Sequence, residues 1–221
     1  MHDFGILRPI EVIPNFVNCD EYKPLGEKRA GARARYADPD EKILLHLSNF
    51  RPVKRILDVI EVFSRIAREM PARLLMVGDG PDRSAAEYLA NSKGIQNRVH
   101  FLGKQDRVHE LLPVGDLMLM PSELESFGLA ALEAMACKVP TIATRVGGVS
   151  ELIEDGVTGR LFAVGDVAAM AAAAIELLAD DARLDSIRDA GRRVAQDHYC
   201  ASHIIPVYER YYESVLARAD V

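Results

Sequence analysis

The chain has 221 residues, the length of one large domain or of one domain with an appendage. Its 33 acidic residues outnumber its 27 lysines and arginines and give a net charge of −6, which argues against a protein that chiefly binds nucleic acid. The longest apolar run, 167–175, is about half of a membrane span, and no secretory signal is visible at the N-terminus. We therefore expect a cytoplasmic protein without a membrane span.

The three cysteines, Cys19, Cys137 and Cys200, are odd in number, far apart and without a CxxC pair. This usage argues against a disulfide framework and against a structural zinc site. The histidines show no metal-ligand spacing and are interpreted as core or surface residues. We therefore expect a metal-free domain in which Cys137 is a small core residue.

Short β-type runs alternate with stretches of helical periodicity along the chain. The first run, 10–13, predicts a brief strand that Pro14 ends, and the basic segment 23–40 predicts a linker leading to a short helix. Further strands are predicted, in chain order, at 43–47, 74–77, 99–102, 117–120, 141–143 and 160–162. Helices are predicted at 53–66, after Pro81, near 108–112, from a Ser126 cap to about Cys137, and from about residues 167, 182 and 201.

This alternation predicts an α/β fold, a Rossmann-like doubly wound parallel sheet with helices on both faces. Parallel sheets of this kind bind ligands at the carboxyl ends of their strands. The loops that follow the predicted strands are therefore the places where functional residues are expected.

The loop after the strand at 43–47 carries three cations within five positions, Arg51, Lys54 and Arg55. It also precedes a helix, whose unpaired N–H groups and partial positive charge attract anions. Arginine and lysine at such a place predict an anion site. A solvated basic turn explains the same residues equally well.

Glycines mark three further loops, at 78–80, at Gly103 beside Lys104, and at 147–148 ahead of a short helix. Glycine lets a backbone approach a ligand closely, although glycine turns are also common where strands end. The first two loops match neither GxGxxG nor a Walker A sequence, so a dinucleotide or ATP site loses its usual support.

Glu125 and Glu133 flank the start of the helix predicted around residues 126–137. Glu125 precedes the helix, where its charge suits the dipole. Glu133 shares a helix side with apolar residues and needs a partner there, because burying an unpaired carboxylate is costly. That partner is either a pair of ligand hydroxyls or the cation of an internal salt bridge.

The segment SELESFGLAALEAMACKVP, which contains Glu125-x7-Glu133, resembles the signature of retaining glycosyltransferases with two Rossmann-like domains, the GT-B architecture. The segments SNFRPVKR, VGDGP, FLGKQDRV and TRVGGVSELIEDGVTGRLF resemble the family's other landmarks in the expected order. Within the family, HLSNFRPVKRILDVIEVF and FLGKQDRVHELL are similar to the N-acetylglucosaminyl L-malate synthases of the bacillithiol pathway. The resemblance implies transfer of N-acetylglucosamine from UDP-N-acetylglucosamine to a small acceptor such as L-malate.

The resemblance also implies roles for single residues. Glu125 would approach the transferred sugar as the catalytic residue, and Glu133 would accept hydrogen bonds from the ribose hydroxyls. Asn49, Arg51 and Lys54 would bind the donor diphosphate, and Gly103 and Lys104 would face the uracil. The amides of Phe127, Gly128 and Leu129 would hold the sugar hydroxyls and the diphosphate. Ser48 and Asn49 stand where many relatives have a Gly-Arg pair, so Arg51 is expected to supply the guanidinium, and Lys138 stands where relatives usually have glycine.

The resemblance covers only the donor-binding, C-terminal half of a GT-B enzyme. It divides the chain into a leading segment with a first strand (1–22), a UDP-sugar-binding Rossmann-like domain (23–200) and a closing helix (201–221). We expect the missing N-terminal acceptor-binding domain as partner, no cofactor, no metal, and an exposed apolar wall that favours self-association into a homo-oligomer. Two alternatives remain at this point, an enzyme similar to the non-hydrolysing UDP-N-acetylglucosamine 2-epimerases and a non-catalytic UDP-sugar-binding module.

Overall fold

A computed structural model describes residues 10–219 and contains a six-stranded parallel sheet. The strands lie in the order β3-β2-β1-β4-β5-β6. Their bounds are β1 Lys42–Leu47, β2 Ala72–Val77, β3 Val99–Gly103, β4 Leu117–Met120, β5 Thr141–Thr144 and β6 Gly159–Phe162. The strands predicted from residue 43 onward are thus confirmed, with small differences at their ends.

Nine α-helices are found in the described range of 10–219. Their bounds are α1 Arg29–Arg33, α2 Ile56–Glu69, α3 Arg83–Ser92, α4 Val108–Leu111, α5 Leu129–Ala136, α6 Val149–Leu152, α7 Val167–Ala179, α8 Asp181–Tyr199 and α9 Ala201–Ala219. Helix α2 packs on α7, and α5 packs on α8.

The sheet separates two hydrophobic clusters. Leu44 of β1 points into the cluster that contains α2 and α7, whereas its neighbours Ile43 and Leu45 point into the cluster that contains α5. Because both faces of the strand are covered, its apolar residues form a continuous run rather than an alternation. The predicted doubly wound fold is confirmed.

The strand predicted at 10–13 is wrong. These residues form no strand, and Ile10 and Val12 are 47% and 72% exposed. The leading segment instead forms one isolated parallel bridge, between Val17 and Cys200. An apolar run forms a strand only beside a strand edge that is free to pair with it, and residues 10–13 pair with no strand of the sheet. Residues 1–9 of the predicted leading segment and 220–221 of the closing helix lie outside the described range.

The prediction that Ser126 caps a helix is also wrong. Helix α5 begins at Leu129, and its N-cap residue is Gly128, which has a φ of +91°. This left-handed conformation turns the chain sharply and places Ser126 outside the helix.

The expectation of no disulfide is corrected as well. Cys19 and Cys200 form a disulfide, with their Cα atoms 5.6 Å apart, although 181 positions separate them in sequence. The bridge at Val17 brings them together, and sequence spacing does not reveal such a contact. Cys137 is free and buried, as predicted.

The basic linker forms α1, as predicted, and its arginines have a structural role. Arg29 and Arg33 bind the buried carboxylate of Asp116, at 2.7 and 2.8 Å. Although burial opposes ionisation, Arg33 and the N–H of Ile43 lower the pKa of Asp116. The linker is thereby fastened to the residue that precedes β4.

Within the described range, the helices are all too short or too polar to cross a membrane.

Candidate donor-binding site

The strand order places a crevice between β1 and β4, where the winding of the sheet reverses. Parallel sheets bind ligands at such switch points, beyond the carboxyl ends of the strands. The loops after β1 and β4 meet there, and the N–H of Glu123 donates to the carbonyl of Val53 at 2.8 Å. Two loops that are about 70 residues apart in sequence therefore form one wall.

Lys54 and Glu125 form an ion pair across this crevice. The Nζ of Lys54 lies 2.6 Å from Oε1 of Glu125, and both side chains are largely buried. The buried hydroxyl of Ser122 donates to the same oxygen at 2.8 Å. No hydrogen bond to Oε2 is found in the described part of the chain. The pair gives the crevice a cation with further N–H groups and a carboxylate with a further oxygen.

His46, on β1, links the loop after β1 to β4. It is fully buried; its Nδ1 lies 2.9 Å from the carbonyl of Leu119 and its Nε2 lies 2.8 Å from the hydroxyl of Ser48. Because a carbonyl only accepts, Nδ1 donates to it and Nε2 accepts from Ser48. Burial lowers the pKa of His46 to about 4. The imidazole is therefore neutral at pH 7 and holds β4 and the β1 loop together.

The start of α5 supplies backbone donors. The amides of Phe127, Gly128 and Leu129 have no hydrogen-bond acceptor among residues 10–219. The first amides of a helix lack internal partners and carry partial positive charge, so they suit anionic or hydroxyl oxygens. They lie in the same loop as Glu125.

A cavity of about 370 Å³ joins these groups. Six of the residues predicted for the site line it: Asn49, Lys54, Glu125, Phe127, Gly128 and Leu129. Four do not line it: Arg51, Gly103, Lys104 and Glu133. The structure therefore brings together the groups assigned to the diphosphate and the sugar, with the exception of Arg51, and separates from them those assigned to the uracil and the ribose.

The separated residues lie outside the lining of this cavity. Arg51 and Lys104 are exposed. Gly103 ends β3 with a φ of +67° and accepts the N–H of Gly78 at 2.8 Å. The third cation of the β1 loop, Arg55, forms an ion pair with Asp58 in the first turn of α2, at 2.7 Å.

Glu133 faces Tyr22 rather than a cation. Burial raises the pKa of Glu133, the Tyr22 hydroxyl opposes this shift, and Glu21 adds to it. Burial and the nearby Glu133 raise the pKa of Tyr22 in turn. No salt bridge to Glu133 is found among residues 10–219, which removes the internal ion pair as the explanation of its burial. Its carboxylate oxygens can accept from hydroxyl groups.

The predicted glycine loops serve backbone packing. A Cβ on Gly78 would lie 1.7 Å from the carbonyl oxygen of Ser48, and one on Gly147 would lie 1.8 Å from that of Glu125. Only glycine permits such an approach. These contacts set the positions of the loops that carry Ser48 and Glu125, which supports the structural interpretation of both glycines.

Sequence reasoning missed several residues of the site. Asn15, Ser48 and Ser126 line the cavity, Ser122 binds Glu125, and Tyr22 faces Glu133. Ser122 stands three residues before Glu125 at the end of an apolar strand, a position that parallel sheets often give to a ligand. Asn15 and Tyr22 belong to an irregular segment, and no periodic pattern marks them. No cluster of three or more potential metal ligands is found within the described range.

The sheet order and this crevice define a Rossmann-like α/β domain. A family profile described as "Glycosyl transferases group 1" matches residues 29–194, and the chain belongs to this family. It is 44% identical over 210 residues to the N-acetyl-alpha-D-glucosaminyl L-malate synthase of Bacillus anthracis. That match covers 95% of this chain and 55% of the relative, so the chain spans about half of that protein.

Solved structures share this fold. The Anabaena protein HepE, solved in complex with UDP-glucose, superposes with a TM-score of 0.83 at 24% identity, over 94% of this chain and 57% of that one. The C-terminal domain of a group 1 glycosyltransferase (LpcC) from Francisella tularensis has been crystallised by itself. It superposes with a TM-score of 0.77 at 21% identity, over 84% of this chain and 99% of that one. This fold therefore exists as an isolated domain.

Proposed function

We propose that this chain is the donor-binding domain of a retaining glycosyltransferase and that its donor is UDP-N-acetylglucosamine. The observation that carries the proposal is the Lys54–Glu125 pair beside the free amides at the start of α5. A cation and helix-start amides suit a diphosphate, and a carboxylate in the same cavity suits sugar hydroxyls. The 44% identity to a synthase that is named for N-acetylglucosamine and L-malate supports the choice of donor.

Each group has a distinct task in this proposal. Lys54 has three N–H donors and gives one to Glu125, so the others are available for diphosphate oxygens. Glu125 presents its second oxygen to the transferred sugar, while Ser122 and Lys54 fix its orientation. Glu133, outside the cavity and beside Tyr22, accepts from the ribose hydroxyls. The uracil lies toward Gly103 and Lys104.

We further propose that donor binding needs no metal ion. A Mg²⁺-dependent transferase holds the ion with carboxylates beside the diphosphate. Here the diphosphate position is bordered by Lys54 and by amides, which neutralise its charge directly. The acceptor, L-malate by similarity to the Bacillus synthase, and the remaining half of the enzyme are parts of the same proposal.

Calorimetric titration with UDP tests the diphosphate contact. Lys54→Ala is expected to weaken binding by about 1.5–3 kcal/mol, or roughly 10- to 150-fold, the range for a charged hydrogen bond. Lys42→Ala is a matched control, because Lys42 begins β1, at the end remote from the loop that carries Lys54, and pairs with Asp181. Equal loss in both variants would contradict the proposal, as would a strong dependence of wild-type binding on added Mg²⁺ over EDTA.

The ribose contact is tested with two ligands. Glu133→Gln is expected to weaken binding of UDP, because an amide accepts less strongly than a carboxylate. The same substitution should not change binding of a UDP analogue that lacks both ribose hydroxyls. If the variant lost equal affinity for both ligands, Glu133 would have only a structural role.

Competition between UDP-N-acetylglucosamine, UDP-glucose and GDP-mannose identifies the donor.

A further inference from the structure

A second cavity lies where the leading segment meets the junction of α8 and α9. Its volume is about 360 Å³, and it shares no lining residue with the candidate donor cavity. Cys19, Cys200 and Arg192 line it, together with the first residues of α9. Cavities of this size admit small molecules. Nothing in the proposed donor site uses it.

The backbone holds the two cysteines together without help from their sulfurs. The N–H of Val17 donates to the carbonyl of Tyr199, and the N–H of Ala201 donates to the carbonyl of Val17, each at 2.9 Å. These bonds flank Cys200 and fix Cys19 opposite it, with Cα atoms 5.6 Å apart. This separation suits a disulfide. The pair is therefore placed for bond formation before the bond exists.

A cation and a helix start lie beside these two cysteines. The guanidinium of Arg192 donates to the carbonyls of Cys19 and Tyr22, at 3.3 and 2.8 Å. Cys200 immediately precedes α9, whose N-terminus carries partial positive charge. A cation and a helix start both stabilise a thiolate, whereas Asp20 and Asp197, which line the same cavity, oppose it in part.

Cys137 has the opposite environment. It is 2% exposed, and burial raises the pKa of its thiol to about 12. A buried protonated thiol reacts slowly. The chain thus contains its own internal comparison for cysteine reactivity.

We propose that Cys19 and Cys200 form a thiol–disulfide exchange site and that the second cavity receives a small molecule carrying a disulfide. Cys19 is partly exposed, so its thiolate attacks the small disulfide, forms a mixed disulfide and releases one small thiolate. Cys200, which is 6% exposed, then attacks the sulfur of Cys19 and releases the second. The two protons lost by the cysteines protonate the two released thiolates. The protein pair is oxidised, and the small disulfide is reduced.

Oxidised glutathione is the probe for this exchange, and the isolated chain is a suitable sample because the fold exists as a single domain. The reduced wild-type chain is expected to lose two hydrogen atoms and to retain no adduct in intact-mass measurements. Cys200→Ser should hold one glutathione on Cys19, since the second step is blocked. Cys19→Ser should react at least about tenfold more slowly than the wild type, because only buried thiols remain.

Two further measurements make the outcome decisive. Cys137→Ser is the matched control and is expected to react as the wild type does. Oxidation of the wild type should raise its melting temperature by roughly 5–15 °C, because the bond restricts the unfolded chain. A wild-type chain that keeps both thiols in a large excess of oxidised glutathione would overturn the proposal. Preferential modification of Cys137 would overturn it as well, and neither result depends on a variant that folds.

Discussion

Lys138 adopts a backbone conformation that glycine adopts at lower cost. Its φ is +61°, in the left-handed region, directly after α5 and Cys137. A residue with a Cβ is disfavoured there by about 1–2 kcal/mol. Glycine avoids this strain, but it loses more conformational entropy on folding, which offsets part of the gain. Lys138→Gly is therefore expected to raise the free energy of unfolding by about 1 kcal/mol, measured by urea denaturation.

The ion pair of Lys138 with Asp189, at 2.5 Å on the surface, requires a control. Lys138→Ala removes the pair and keeps the strained conformation, so its stability should stay close to that of the wild type. If the alanine and glycine variants were equally stable, backbone strain would not be the cause.

His46 links stability to pH. Its pKa is about 4 in the folded chain, because it is buried, and about 6.5 when unfolded. Between these values the unfolded chain binds more protons, so stability is lost as the pH falls from about 6.5 to 4. The loss that this one group causes is roughly 3 kcal/mol.

Urea denaturation across this pH range measures the effect. His46→Gln removes the titrating group and should flatten the profile, and His198→Gln, at an exposed histidine, is the matched control. Asp116 and Glu41, whose pKa values are lowered, contribute to the acid loss in every variant, and Glu133, whose pKa is raised, opposes it. The difference between variants therefore isolates His46. An unchanged slope in His46→Gln would contradict the assignment.

At the scale of elements, the loop after β5 shapes the loop that carries Glu125. Gly147 has a φ of +49°, and its Cα faces the carbonyl of Glu125. Gly147→Ala forces the two loops apart, so it should lower both the melting temperature and the affinity for UDP. Gly156→Ala is the control, because Gly156 has a φ of +82° but open space around it. It carries the conformational cost without the clash, about 1 kcal/mol.

The comparison of these two variants separates strain from displacement. Calorimetry with UDP should show normal affinity for Gly156→Ala and weaker binding for Gly147→Ala. Equal affinities would mean that the position of the Glu125 backbone does not depend on this contact.

The elements themselves were largely predictable from sequence. The parallel strands carry apolar runs because both faces of the sheet are covered, and their loops meet at one edge for topological reasons. The strand at 10–13 was mispredicted because an apolar run does not reveal whether a strand edge is free to pair with it. The left-handed Gly128 hid the true start of α5, since Ser126 has the residue type of a helix cap.

The site was predictable where it depends on sequence neighbours and not where it depends on the tertiary fold. Lys54 and Glu125 lie in loops after predicted strands, so their convergence follows from the parallel topology. Tyr22, Asn15 and the Cys19–Cys200 disulfide depend on where an irregular segment crosses the domain. Such a crossing is fixed by long-range packing, for which this sequence offers no local pattern.

At the scale of the whole molecule, apolar side chains remain uncovered on the leading segment and on α9. Val12 is 72% exposed, and Tyr212 and Leu216 on α9 are 61% and 66% exposed. Apolar residues that gather on one surface mark an interaction site. The chain spans about half of the Bacillus synthase, and we expect the other half of the enzyme to cover this surface.

We expect the 221-residue chain alone to bind donor and not to transfer sugar. Glycosyl transfer requires donor and acceptor in near-attack geometry, an effect worth roughly 7–11 kcal/mol, and it requires exclusion of water from the reacting centre. The cavity beside Glu125 holds only about 370 Å³, and Leu129 on its wall is 46% exposed. A crevice of this size and exposure can hold part of a nucleotide sugar. It cannot also orient malate and exclude water from the reacting centre.

The assay incubates the purified chain with UDP-N-acetylglucosamine and L-malate and measures release of UDP and formation of glucosaminyl malate. Binding is checked on the same sample by calorimetry, so that an absence of turnover cannot result from a misfolded chain. A Glu125→Gln variant is the control for contaminating activity, because it should abolish any transfer that depends on this site. Turnover of about 1 s⁻¹ or more by the wild type, absent in that variant, would show that these residues also orient the acceptor. The division between a donor-binding half and an acceptor-binding half would then be wrong.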